Sequence, residues 1–182
     1  MPVTRLVTQD DAPVLAELLW VNRYFLAPWE PIRDEDNYTV EGQRTTIKSA
    51  LERYRQGITV PSVILDEEGR VVGRITLNEI VRGAFQSCHL GYWLSADANG
   101  RGLATAAARD MIRVAFEELG LHRIQAGTLL HNVRSQGVLE RNGFVRFGVA
   151  PAYLKIAGQW QDHALYQIVN ESRSASGAAG TP

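Results

Sequence analysis

At 182 residues, with 45% of them hydrophobic, the chain is long enough to bury a substantial core as one domain, and its composition is neither fibrous nor that of a disordered polymer. A formal net charge of -1 without a long basic run gives no sequence-wide reason to expect a nucleic-acid partner, and no apolar run approaches the roughly 20 residues of a membrane span. Cys88, the one cysteine, cannot close an intramolecular disulfide, and no charged-then-apolar leader opens the sequence, so a reduced, cytoplasmic setting is expected.

Val3 to Val7 reads as a short edge strand. Asp10 or Asp11 then offers an N-cap ahead of Pro13, in the first turn of a helix whose apolar face is Val14, Leu15, Leu18 and Leu19. The next stretch, NRYFLAPWEPIRDEDNY, mixes aromatic residues, prolines and charges without period and reads as a loop. Its Phe25, Leu26 and Trp29 either plug the core or wall an acceptor groove. A helix follows from about Val40 to Arg55, with Gly57 near its C-terminal cap. The period then shortens to two: Val60 to Leu65 and Val71 to Val81, joined by an acidic EEG turn, form a hairpin, and a third strand runs from about Phe85 to Leu94. Glu79 shares a phase with Gly73, Ile75, Leu77 and Val81, which would turn it to the apolar side and desolvate its carboxyl into a better base; a strand-end Glu reaching solvent is the alternative.

The stretch from Asn99 to Leu119 organises the rest. Leu103, Ala107, Met111, Val114 and Ala115 give a helix with one buried face, beginning close to Gly102. Gly100 and Gly102 let the backbone take unusual dihedrals, the first helix amides lack partners, and Arg101 adds a charge, so the turn has the makings of a pyrophosphate cradle. A plain structural turn is the alternative. There is no GxxxxGK[ST], and no GxGxxG after a strand with an acid downstream, which disfavours nucleotide hydrolysis and dinucleotide binding. Gly120 ends the helix, HRIQAGTLL makes a strand, and Asn132 caps a helix with Val138 and Leu139 inward, closed by Asn142 and Gly143. From Phe144 the chain reads as strands interrupted by a loop, the last being Ala164 to Val169, before a tail, ESRSASGAAGTP, with nothing to bury and an expectation of disorder. The element order predicts a single α/β or α+β domain over residues 1–170, a sheet with helices on both faces.

Two blocks in this order resemble the GCN5-related N-acetyltransferase (GNAT) family. That family's turn is commonly [RQ]xxG followed by x[GA]; here it reads Asn99, Gly100, Arg101, Gly102, Leu103, Ala104, with Asn where Arg or Gln would reach the phosphates. Asn132 to Ser135 followed by LERNGF resembles the family's NxxS and LExxGF segment. Longer strings, NRYFLAPWEPIRDE, IVRGAFQSCHLGYW and YLKIAGQWQDHAL, are similar to the RimJ- and RimL-like branch that acts on ribosomal proteins. The resemblance implies a GNAT fold with a mixed, mostly antiparallel sheet, acetyl-CoA as co-substrate with no metal, and direct transfer in a ternary complex to the α-amino group of a protein N-terminus, of the ribosomal-protein alanine type. It is compatible with a monomer or a homodimer. A small-amine acetyltransferase acting on an antibiotic or metabolite shares the resemblance, and a non-catalytic acyl-CoA-binding module is a third reading.

The same resemblance distributes roles. Trp93, Leu94 and Ser95 would flank the cofactor arm and offer a backbone N–H to the thioester carbonyl, the Asn99 to Ala104 turn would hold the pyrophosphate, and Asn132 would hold the arm. The usual tyrosine acid is missing from Leu139, Glu140, Arg141 and Asn142, so Ser135 is the candidate for the thiolate and Tyr92 the second. His131 and His163 could serve as bases or as structural groups. An α-amine with a pKa of about 7.8 is roughly 10–15% neutral at pH 7, against about 0.04% for a lysine near about 10.4, a difference of about 3.5 kcal/mol, so an N-terminal acceptor needs little base. Glu79 acting through water would suffice. Trp29 and Trp160 would wall the acceptor groove, with Glu30 or Asp162 meeting the ammonium.

Overall fold

Strands β1 (Thr4–Leu6), β2 (Val60–Leu65), β3 (Val71–Val81), β4 (Ser87–Leu94), β5 (Arg123–Leu129), β6 (Val145–Ile156) and β7 (Gln159–Val169) form one sheet in the order β1-β2-β3-β4-β5-β7-β6. Every neighbouring pair is antiparallel except β4 and β5, so the sheet is mixed and mostly antiparallel, as expected. The computed structural model describes residues 2–171, and residues 172–182 of the expected tail lie outside them.

Helices cover both faces. On one, α1 (Ala12–Val21) and α3 (Val40–Arg55) pack Ala12, Leu15 and Ile47 against Val7 and Val63. On the other, α4 (Leu103–Arg113) and α5 (Val133–Arg141) pack Leu103, Ala107, Met111, Val138 and Leu139 against Ile64, Ile75, Leu77 and Ile124. Adjacent residues Val63 and Ile64 enter opposite cores, as the two-residue period of a strand requires. Each large apolar side chain buried in this way contributes about 1.5–3 kcal/mol. Among the described residues no helix is long and apolar enough to cross a membrane.

Several local expectations change. Asp11 occupies the N-cap position of α1, as expected, but its side chain does not bond the helix: a short 3-10 turn, Gln9–Asp11, precedes it, and the Asp11 carboxylate accepts the Thr8 N–H at 2.8 Å and pairs with Arg5 at 2.6 Å. The aromatic stretch is not all loop, since it holds the short helix α2 (Arg23–Leu26) and a 3-10 turn at Glu35–Tyr38; of Phe25, Leu26 and Trp29, only Leu26 is buried. The helix begun by α4 widens into a π turn over Val114–Glu118. β6 and β7 are long and meet in a two-residue turn, Ala157 and Gly158, whose φ values of 48 and 80 match the twist of a tight hairpin. The expected interrupting loop shrinks to a register irregularity between Ala150 and Leu154, so Trp160 to His163 lie on a strand.

Candidate active site

β4 and β5 pair only from Ser87↔Arg123 to His89↔Gln125, although β4 continues to Leu94 and β5 to Leu129. Beyond that point they diverge around a cleft of about 380 Å³, bounded further by Phe25, Trp29, Glu30, Asn99, Ala104 and the start of α5. The Ser95 N–H donates to the Val72 carbonyl at 2.9 Å, and antiparallel alternation then directs the N–H and C=O groups of Tyr92 and Leu94 away from β3, into the gap. An unpaired strand edge of this kind can bind an extended amide chain. Of the three residues assigned to the cofactor arm, Leu94 therefore presents its N–H, Trp93 lines the cleft while its backbone serves β3, and Ser95 is withdrawn: its hydroxyl bonds Asp97 and, at 3.3 Å, Asn22.

The glycine turn follows at the carboxyl end of β4. Gly100 and Gly102 have φ of 79 and 78, a region that costs an ordinary residue about 1–2 kcal/mol, and nothing lies within 4 Å of a Cβ placed on either. No side chain caps α4, and its first inward bond is from the Ala106 N–H to the Gly102 carbonyl, leaving the N–H groups of Leu103, Ala104 and Thr105 without intrahelical acceptors. Those amides, the helix dipole and the exposed Arg101 make the turn fit a phosphate-bearing group. Leu103 contributes its backbone alone, because its side chain is in the core. Asn99 stays exposed and folds back on its own turn, donating its side-chain amide to the Ser95 carbonyl at 2.7 Å, so it braces the turn. Asn22, which the sequence reading passed over, holds this region from α1: it is 5% exposed and its Oδ1 accepts the Ala96 N–H at 2.8 Å. Its three-to-four spacing from Leu15, Leu18 and Leu19, a polar group on an apolar helical face, was the available signal.

Across the gap, the Asn132 side chain caps α5 by accepting the Ser135 N–H at 3.1 Å. The Ser135 hydroxyl lies 2.8 Å from the Tyr92 hydroxyl, which joins the two candidate acids in one unit. Burial pushes the Tyr92 phenol up to about 12, against the opposing effects of the Ser135 bond and Arg141, so it stays protonated at neutral pH. With Tyr92 donating to Ser135, the serine proton is free to point into the cleft, beside the positive end of α5. Thr128 adds a buried hydroxyl that has no partner among the described residues and also lines the cleft.

At the other end of the cleft the Glu30 side chain is 15% exposed, with Arg33 Nε 3.4 Å from its Oε2. Burial raises its carboxyl above the ordinary range, and Arg33 opposes the rise. Trp29 and His131 face each other with ring centroids 5.5 Å apart. The Ala157 N–H donates to the Glu30 carbonyl at 2.9 Å, tying this loop to the tip of the β6–β7 hairpin.

Three expected site residues fall elsewhere. Glu79 sits at a register irregularity between Asn78 and Val81 with φ of 51, which breaks the phase it shared with Leu77 and leaves it exposed, outside the cleft. Trp160, 65% exposed, and Asp162 alternate with His163, and it is His163 that lines the cleft. The Asp162 carboxylate accepts the Ala152 N–H at 2.8 Å and secures the β6 irregularity instead.

A family profile described as an acetyltransferase (GNAT) domain matches residues 3–145. The chain belongs to this family. It is an acetyltransferase by that membership, and its relatives agree. A probable N-acetyltransferase, YjcK, of Bacillus subtilis (strain 168) is 41% identical over 155 residues, covering 82% of this chain and 83% of that one. The [ribosomal protein uS5]-alanine N-acetyltransferase of Escherichia coli (strain K12) is 38% identical over 90% of this chain and 84% of its own. Among solved structures, the ribosomal-protein-S5-alanine acetyltransferase from Vibrio fischeri superimposes with a TM-score of 0.88 at 34% identity, covering 92% of each chain. Mycobacterium smegmatis RimJ in complex with a CoA disulfide gives 0.88 at 31%, over 93% of this chain and 82% of that one.

These positions separate the two tryptophans of the acetyltransferase. Trp29→Ala should raise the acceptor KM up to about tenfold, the worth of a good aromatic contact at ~1.5 kcal/mol, whereas Trp160→Ala should leave it unchanged. Steady-state kinetics at saturating acetyl donor check both, and equal effects would contradict the placement.

Proposed function

We propose that this acetyltransferase uses acetyl-CoA to acetylate the α-amino group of a protein N-terminus of the ribosomal-protein alanine type. The observation that carries the reading is continuity: one cleft runs from the glycine turn along the unpaired edge of β4, past the Tyr92–Ser135 pair, to the half-buried carboxylate of Glu30. The E. coli relative named for uS5 alanine supports the acceptor class.

Each group then has a task. The amides of Leu103, Ala104 and Thr105, with Arg101, hold the pyrophosphate of the donor. Leu94 offers its N–H to the thioester oxygen, a donor placed before charge develops and therefore costing little reorganisation. Ser135 gives a hydrogen bond to the departing sulfur, backed by Tyr92. Glu30 meets the α-ammonium and receives its proton, which an amine of about pKa 7.8 yields readily near neutrality. Trp29 and His131 close the mouth against water.

The experiment compares an Ala- or Ser-initiated peptide with the same peptide carrying a blocked α-amine and a free internal lysine. Acetylation of the first alone is expected, at least a hundredfold faster. Modification of the blocked peptide, or preference for free small amines over any peptide, would overturn the reading.

A further inference from the structure

A second cavity, of about 290 Å³, opens beside the cleft and shares Leu26 and Glu30 with it. Acetyl transfer as described above makes no use of this space. Leu19, Leu26 and Ile32 give it apolar walls, and Arg23 and Arg33 bring two guanidinium groups to it, against the one carboxylate of Glu30. Arg23 is already engaged: it donates to the Trp20 carbonyl at 2.6 Å and lies 3.9 Å and 4.4 Å from the ring centroids of Trp20 and Tyr24. Arg33 is not. Its contact is the single 3.4 Å approach of Nε to Glu30, and among the described residues its two terminal nitrogens make no hydrogen bond to protein. Arg74, half-buried in β3 and with its Nε unpartnered among the described residues, adds positive charge nearby: desolvation first, and then Arg33, push its guanidinium below the ordinary pKa, with Asp11 acting the other way. The acids that follow in the loop, Asp34, Glu35 and Asp36, are exposed and do not line the cavity.

An α-ammonium on Glu30 takes over the carboxylate that Arg33 shares, so that three cations, with Arg23 and Arg33, surround one anion next to apolar walls. A second carboxylate, carried by the acceptor, reduces that excess and gives Arg33 a partner. In an extended peptide successive side chains point to opposite sides, and successive Cα atoms are about 3.8 Å apart, so a terminus held at Glu30, on the boundary of both spaces, sends its first side chain to the cleft and its second to the cavity. We propose that this cavity receives the second residue of the acceptor N-terminus and selects an acidic side chain there, with Arg33 as its partner. The proposal rests on the protein N-terminal reading above.

The test uses three peptides beginning Ala-Glu, Ala-Gln and Ala-Lys with a common remainder. For the full chain, KM should rise in that order, by on the order of tenfold from Glu to Lys, as a charge-assisted hydrogen bond gives way to repulsion. Arg33→Glu should reverse the order and Arg33→Leu should flatten it, both without change in the Kd for acetyl-CoA, which also reports that the variants are folded. Acetylation of all three peptides with no dependence on the second residue, or an order that survives Arg33→Glu, overturns the subsite while leaving the acceptor class intact. Acetylation of none of them, with turnover of a free small amine, overturns both.

Discussion

Ser135→Ala is expected to lower kcat on the order of 10²-fold, or about 2.7 kcal/mol in the barrier, while leaving the Kd for acetyl-CoA nearly unchanged. The reason lies in the order of the pair. The two hydroxyls lie 2.8 Å apart; if Tyr92 donates to Ser135, the serine proton is left for the sulfur of the proposed donor, and that bond would strengthen only as negative charge reaches the leaving group, a contact that appears in kcat rather than in binding. Tyr92→Phe should cost less alone and should add little to Ser135→Ala, because groups acting as one unit are not additive. Turnover equal to wild type in Ser135→Ala would reject the assignment, and multiplicative losses in the double variant would mean two independent donors. Single-turnover rates with the same peptide distinguish these outcomes from slow product release.

Gly102→Val should abolish donor binding. Valine at φ of 78 is strained by about 1–2 kcal/mol or more, and its branched side chain would fill the space before the amides of Leu103 and Ala104. A ligand at a hundred times its Kd stabilises a protein by about 2.7 kcal/mol, which at this chain length is a melting shift of roughly 5–10 °C. The variant should lose that shift with CoA yet melt, unliganded, within a few degrees of wild type, since the turn is exposed. A full shift in the variant would remove the pyrophosphate from this turn. Arg101→Ala should reduce the shift more at low salt than at high salt, as an exposed charge does.

What the sequence made legible follows from burial. β2, β3 and α3 match their expected bounds, because a face packed against a core writes its period into the residues, and the cradle was visible because two left-handed positions demand glycine. Glu79 was misplaced because one extra residue in a strand reverses every later side chain, and an irregularity near a strand end leaves no mark in the hydrophobic pattern. Trp160 and Asp162 failed for a related reason: the aromatic and charged segment reads as a loop until the Ala157–Gly158 turn makes it a strand, whose register then decides that His163 faces the cleft. Ser135 could be named from the block it shares with the family, and Tyr92 as a second choice, but not their contact. They are 43 positions apart and meet only because β4 and β5 separate after three paired residues, a divergence that no composition or period encodes.

The hydrogen bond from Ala157 to Glu30 has a wider meaning. The groups proposed to hold the donor come from one uninterrupted middle portion of the chain, from β4 through the start of α5, whereas Glu30, proposed to meet the acceptor, sits in the connection after α1 and is tied to the distant hairpin between β6 and β7. On the proposed reading the two substrates are held by separately encoded parts of the gene product. Selection can redraw the loop and the hairpin tip together, and so change what is acetylated, while the stretch that grips the acetyl donor is left untouched.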